Sequence, residues 1–204
     1  MRHNPIIAID GPDNVGKTSV INYLHNLFPC RVQEALDKHS SLYQHCISPI
    51  LDGEVVEYDS YHLQLLMLAG YFEGMSKALN LANDSIVILD RSCASTEAYS
   101  IAEGLDSQWI KTVIEPIQKP DLTIILMGAH FSKTDSATEY YSSIYDWDMG
   151  FQDKLATIFL ELSIANNWKV VYNIDGDTIK PISSIGNEIY HYIQQQEKYI
   201  NVPH

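Results

Sequence analysis

The sequence predicts an α/β fold, a parallel sheet covered by helices on both faces. Short apolar runs at residues 6–9, 85–90, 121–127 and 169–174 read as buried strands. Between them lie stretches with helical spacing, at residues 19–28, 58–81, 151–165 and 179–193. The first two runs end at Asp10 and Asp90 and give way at once to turn residues. In sheets of this kind, ligands gather outside the carboxyl ends of the strands.

The first strand stops at Asp10-Gly11, and the next residues, Gly11-Pro12-Asp13-Asn14-Val15-Gly16-Lys17-Thr18, fit G-x-x-x-x-G-K-[ST]. A chance Gly/Lys turn could carry the same letters. Here strand, loop and helix signals all fall where a phosphate loop needs them. Backbone N–H groups of such a loop and the positive end of the helix dipole face one point, which suits a polyphosphate. Gly11, Asn14, Val15, Gly16, Lys17, Thr18 and Ser19 are the expected nucleotide-binding set. Lys17 is expected to reach the β- and γ-phosphates of ATP, and Thr18 to offer its hydroxyl to Mg²⁺.

Val20, Ile21, Leu24, Leu27 and Phe28 give the first helix an apolar face, and Pro29 ends it. Residues 31–34 form a weak strand candidate before a polar loop at 37–41. A further helix is then expected to break at Pro49 and Asp52-Gly53. The longest helical signal is 58–81. Its middle, 63–69, is apolar nearly all round except Gln64, as expected of a helix buried between sheet and substrate cleft.

Helices are also expected at 96–102, stopped by Gly104, and at 109–117, closed by Lys119-Pro120. Residues 128–147 are polar and without period, a stretch that reads as a functional flap. No internal repeat or linker composition is visible, so residues 1–204 are read as one domain with a lid at about 128–150.

Composition narrows the function classes. A net charge of −13 leaves no visible basic face for a nucleic acid polymer. No run of about 18 apolar residues predicts a membrane span, and the N-terminal residues lead directly into the first strand, leaving no room for a signal peptide. Cys30, Cys46 and Cys93 are widely spaced and odd in number, which suits reduced thiols in the cytoplasm. The histidines are scattered, with His39 and His45 the only close pair, so solvated histidine is expected rather than a metal site. Arginine occurs only as Arg2, Arg31 and Arg91, a scarcity that matters for phosphate chemistry.

Asp90-Arg91-x-x-x-Ser95-x-x-Ala98-Tyr99 resembles the DR-Y-x-x-S-x-x-A-Y signature of thymidylate kinases. Asp10-Gly-Pro-Asp13-x-x-Gly-Lys-Thr is similar to their E-G-x-D-x-x-G-K-[ST], and Pro120-Asp-Leu-Thr to their P-D-L-T strand. Residues 151–162 and 168–175 resemble the helix after the lid and the final strand. The resemblance implies a nucleoside monophosphate kinase-like P-loop fold and transfer of the ATP γ-phosphoryl group to dTMP. It further implies a homodimer, expected through the helices at 58–81 and 94–102.

Joining two polyanions makes catalysis mainly positioning and charge neutralisation. Arg91 can grip the acceptor phosphate as a fork, and Asp90 can hold Mg²⁺ through its water shell. By resemblance, Asp13 accepts the sugar 3′-hydroxyl, while Ser95 and Tyr99 line the nucleoside pocket. A surface ion pair at Asp90-Arg91, and plain helix packing for Ser95 and Tyr99, would produce the same letters.

Departures from the family pattern leave the base preference open. Met67 and Tyr71 stand where the family carries a Phe that stacks on thymine and an Arg that hydrogen-bonds it. Gln64 shares their helix face and is a candidate base reader. The second acceptor-clamping Arg is missing, with Lys38 or His39 near its place. No lid or loop Arg exists, and Lys133 is the only lid cation.

A deoxynucleoside kinase is the nearest alternative, since Asp90-Arg91-Ser92 also resembles that family's [DE]-R-S and Glu34 could act as its base. A GTP switch would need further D-x-x-G and N-K-x-D motifs that the sequence lacks. A non-catalytic nucleotide-binding protein is the third reading.

Overall fold

Alternate residues of the first strand, β1 (Ile6–Asp10), face opposite sides of the sheet. Ile7 and Ile9 enter one apolar cluster, while Ile6 and Ala8 enter another. Both faces are therefore covered, as the continuous apolar run requires. The structure, a computed structural model, describes residues 3–130 and 149–200.

β2 (Arg31–Glu34), β3 (Val87–Asp90), β4 (Leu122–Met127) and β5 (Lys169–Tyr172) complete a five-stranded parallel sheet in the order β2-β3-β1-β4-β5. On one face α1 (Lys17–Leu27) and α7 (Ile182–Ile200) share a cluster that includes Val20, Leu24, Ile124, Ile185 and Ile189. On the other, α3 (Ser60–Leu81) and α5 (Ser107–Ile114) close over Ile6, Ala8 and Leu89. α4 (Cys93–Ala102) and α6 (Met149–Asn166) pack on Ile125 and Met127 of β4.

Register places the functional ends together. Ile9 pairs with Asp90, and Asp10 with Ile125, so the loops after β1, β3 and β4 leave the same edge of the sheet. These loops are far apart in sequence and adjacent in space.

Several local expectations change. Pro49 does not break the helix that precedes it. A π-helical turn at Tyr43–Ile47 runs directly into α2 (Ser48–Leu51), and the helix carries on past Pro49 to Leu51. The chain turns instead at Asp52-Gly53, with Gly53 at φ 74°. The helix expected at 109–117 ends at Ile114. The middle of α3 is not buried all round, because Leu65 and Ala69 face solvent. After β5 a small hairpin forms, β6 (Ile174–Asp175) with β7 (Thr178–Ile179), so the expected strand at 169–174 divides and the last helix begins at Ile182 rather than at Ile179.

Candidate active site

The phosphate loop leaves β1 through Gly11, whose φ of 132° and tight approach to β4 both demand glycine. A Cβ there would lie 2.2 Å from the Leu126 carbonyl oxygen. Asn14 and Gly16 also have positive φ, at 59° and 93°, which curls Pro12–Lys17 around a common centre. Gly16 is the N-cap residue of α1 and provides no side-chain cap, and the first turn of that helix has no acidic residue. Asp59, Ser92 and Asp106, in contrast, cap α3, α4 and α5. The first N–H groups of α1 thus keep their donors for an anion, which fits a nucleotide polyphosphate.

Lys17 is buried, and its ammonium donates to the carbonyls of Gly11 (3.1 Å) and Pro12. Burial, reinforced by the nearby Arg91 charge, lowers its pKa to about 8. Thr18 and Ser19 lie exposed at the start of α1, and Val15 is buried. Thr18 and Asp90, a hydroxyl and a half-buried carboxylate, are hard oxygen donors of the kind Mg²⁺ takes.

Arg91 follows β3 directly and adopts the left-handed backbone, φ 67°, which for a residue with a side chain costs about 1 kcal/mol. Its N–H is held by the Ile9 carbonyl at 3.0 Å. That turn carries the guanidinium over the phosphate loop. Nη1 donates to the Gly11 carbonyl (3.3 Å) and the Ser95 hydroxyl (3.1 Å), and Nη2 donates to Asp13. Tyr99 donates its hydroxyl to the other Asp13 oxygen. Burial alone would raise the Asp13 pKa; the Arg91 and Lys17 charges overcome this and bring it down to about 2. The same pairing holds the Arg91 pKa well above its usual value in spite of burial.

Beneath this pair, Asp10 is fully buried and accepts from Ser92 (2.7 Å) and Ser95. Burial raises its pKa, against the pull of Arg91 and the two serines. Ser92 also caps α4 by accepting from the Ala94 N–H. Asp10 therefore fastens the start of α4 to the end of β1. Tyr71 of α3 is buried beside Arg91, Asp10 and Ser95, and burial raises its pKa. The structure brings Tyr71, Ser95, Arg91, Asp13 and Tyr99 together in one cluster.

Other expected residues lie around it. Gln64 is buried two turns before Tyr71 and donates to Glu103 at 3.4 Å, at the α3–α4 seam. Met67 is half-buried between them. Lys38 is exposed in the loop after β2, beside Asp37, whose carboxylate takes Lys77 at 2.8 Å. Lys133 and most of the expected lid lie outside the described residues.

Sequence reasoning missed several residues that meet this cluster. Gln152 of α6 accepts from the Asp13 N–H (3.2 Å) and donates to its carboxylate (3.4 Å). His130 contacts the Asp13 carbonyl through Nδ1 at 2.7 Å. Thr96 and Ser100, one turn apart on α4, bury hydroxyls that have no partner among the described residues. Gln152 shares a face of α6 with Leu155 and Phe159, three and seven residues on, so a polar residue in that apolar stripe was the available signal.

Fold and site together define a phosphate-loop protein in which a paired Arg91 and Asp13 stand over the loop. A thymidylate kinase family profile matches residues 9–174. The chain belongs to the thymidylate kinase family. It is 27% identical over 203 residues to a thymidylate kinase of Dictyostelium discoideum, covering 96% of this chain and 87% of that one. It is 27% identical over 208 residues to a probable thymidylate kinase of Methanocaldococcus jannaschii, covering 100% of each. Its fold matches the solved thymidylate kinase of Candida albicans with a TM-score of 0.78 at 22% identity, over 96% of this chain and 93% of the other.

Proposed function

We propose that this chain moves the γ-phosphoryl group of ATP onto dTMP, giving dTDP and ADP. An acceptor phosphate oxygen bonds to the γ-phosphorus as the bond to the ADP oxygen breaks. The observation that carries this reading is the meeting of Arg91, Asp13, Ser95 and Tyr99 directly over the phosphate loop. A fork-shaped cation there suits an acceptor phosphate, and the carboxylate beside it suits a sugar hydroxyl. Lys17 leaves its loop carbonyls for the transferring phosphates, where negative charge builds. Mg²⁺, held by Thr18 and Asp90, supplies further charge neutralisation when bound.

The acceptor lies along the α3–α4 seam in this reading. Tyr71 to Gln64 spans seven residues, roughly 10 Å of helix, about the reach from a nucleotide's phosphate to its base. Thr96, Ser100 and Glu103 follow an i, i+4, i+7 stripe, and Gln64 holds Glu103. The two unpartnered hydroxyls are shut off from solvent, so in this reading the seam opens before they meet the polar edge of a pyrimidine. Glu34, the base required by a nucleoside-kinase reading, is exposed at the end of β2, and its chemistry is not needed for a monophosphate acceptor.

The whole chain acts as one kinase domain, with 128–150 as its lid and Lys133 its cation. A cytoplasmic homodimer completes the proposal. Leu65 and Phe72 are 48% and 50% exposed and share one stripe of α3 with Tyr61 and Ala69. α4 is covered along almost its whole length by its own chain, so α3 is the helix left to meet a second copy. A coupled ADP-release assay across nucleosides and all monophosphates tests the activity. Highest turnover with dTMP is expected, and turnover only with unphosphorylated nucleosides would overturn it.

A further inference from the structure

Asn173, between β5 and β6, is fully buried and joins three segments that carry no sequence relationship to it. Its Nδ2 donates to the Val15 carbonyl of the phosphate loop at 3.0 Å and to the Ala129 carbonyl at 2.8 Å. Its Oδ1 accepts from the Ala129 N–H at 2.8 Å. Those partners fix which end of the amide is nitrogen, because two carbonyls can only accept. Its own backbone is also tied, receiving from Lys180 and donating to Met127, each at 2.8 Å. Gly128, at φ 123°, makes room for it, since a Cβ there would lie 2.1 Å from Oδ1.

No peptide bond among the described residues is cis, so the C=O and N–H of the Val15–Gly16 unit point in opposite directions. A carbonyl drawn toward Asn173 turns the Gly16 N–H away from it, toward the centre of the phosphate loop. We propose that Asn173 is a positioning residue that sets the Val15–Gly16 peptide for the donor phosphates and locks the root of the lid, through Ala129, to the same loop. It touches no substrate. Its effect falls on the donor side, because the side chains of Arg91, Asp13 and Tyr99 are held by one another and by Gly11, Ser95 and Gln152. The inference rests on ATP binding at this loop.

Asn173→Asp and Asn173→Ala decide it, with ATP and dTMP binding measured separately by calorimetry and circular dichroism confirming the fold. Aspartate keeps the shape and sets oxygens against two carbonyls, while alanine leaves a gap that water can fill. The expected order of ATP affinity is therefore wild type, then alanine, then aspartate. ATP affinity and kcat/KM for ATP should fall at least tenfold in the aspartate variant, with dTMP affinity within about twofold of wild type. A packing role predicts the reverse order, with alanine worst, and that order or an equal loss for ATP and dTMP overturns the proposal. If the aspartate variant does not fold, Asn173→Ala carries the same donor-against-acceptor comparison. A wild-type protein that binds no ATP would sink the kinase reading together with this one. Normal wild-type binding with unchanged variants would sink this one alone.

Discussion

Arg91 and Asp13 are 78 positions apart, yet Nη2 of Arg91 donates directly to Oδ1 of Asp13. The contact ties the end of β3 to the phosphate loop and spends one arm of the guanidinium. The other arm already divides between Gly11 and Ser95. Only a planar, multi-donor cation can serve all three while still meeting a phosphate.

Arg91→Lys should therefore be damaging although charge is kept. kcat/KM for dTMP is expected to fall about 100-fold, and ATP affinity to change little. Steady-state kinetics with each substrate varied in turn checks this. If dTMP kinetics survive the change, the acceptor phosphate is held elsewhere.

The same pair makes the fold acid-sensitive. Asp13 titrates near 2 when folded, below its ordinary value of 3.8, so the folded state favours its charged form. The resulting stability, about 2 kcal/mol, is complete above pH 4 and drains away as pH falls toward 2. Urea titrations should show wild type losing its advantage over Asp13→Asn by about that amount between pH 5 and pH 2. A gap that stays constant over this range would mean that the pair gains nothing over solvated groups.

Lys17→Ala should leave the protein folded and nearly inactive. Among the described residues the ammonium hydrogen-bonds to loop carbonyls of its own segment, and the proposed function gives it the transferring phosphates as its main task. Its loss is expected to raise the barrier by at least ~3 kcal/mol, roughly 100-fold in kcat. Quenched-flow or coupled assays measure this directly, and near-normal turnover would remove the catalytic role assigned to Lys17.

The parallel sheet was legible because each strand carries an unbroken apolar run and each crossover its own helical period. The converging site was legible from Asp10, Asp90-Arg91 and the loop after residue 127, all at strand ends. What escaped was determined by partners distant in sequence. Asn173 looked like one more strand residue, since nothing local reveals that its amide reaches Val15 and Ala129. The apolar stripe of α3 read as core because sequence periodicity cannot distinguish a face buried in its own chain from one left for another. The β6–β7 hairpin did have a local signal, Gly176-Asp177, a pair favoured as the two central residues of tight hairpin turns. Two-residue strands are simply too short to show alternation.

Base selection offers the sharpest test, because stability and activity should move in opposite directions. Thr96 and Ser100 bury hydroxyls that lack partners among the described residues. Such groups cost the free protein about 1 kcal/mol or more each unless something else hydrogen-bonds them. Removing them with Thr96→Val and Ser100→Ala should leave the protein as stable as wild type or more so. Their loss should also relax discrimination between dTMP and other monophosphates, because an apolar pocket rejects a mismatched polar edge weakly. Met67 and Tyr71 supply a soft thioether and a phenol near the same seam, so even the wild type is expected to accept dUMP beside dTMP. Gln64→Leu should relax selectivity further by releasing Glu103. Competition kinetics across monophosphates, paired with urea unfolding of each variant, separates the outcomes. Lower stability with unaltered selectivity would place these hydroxyls in the packing of α4 and take the base-reading role from them.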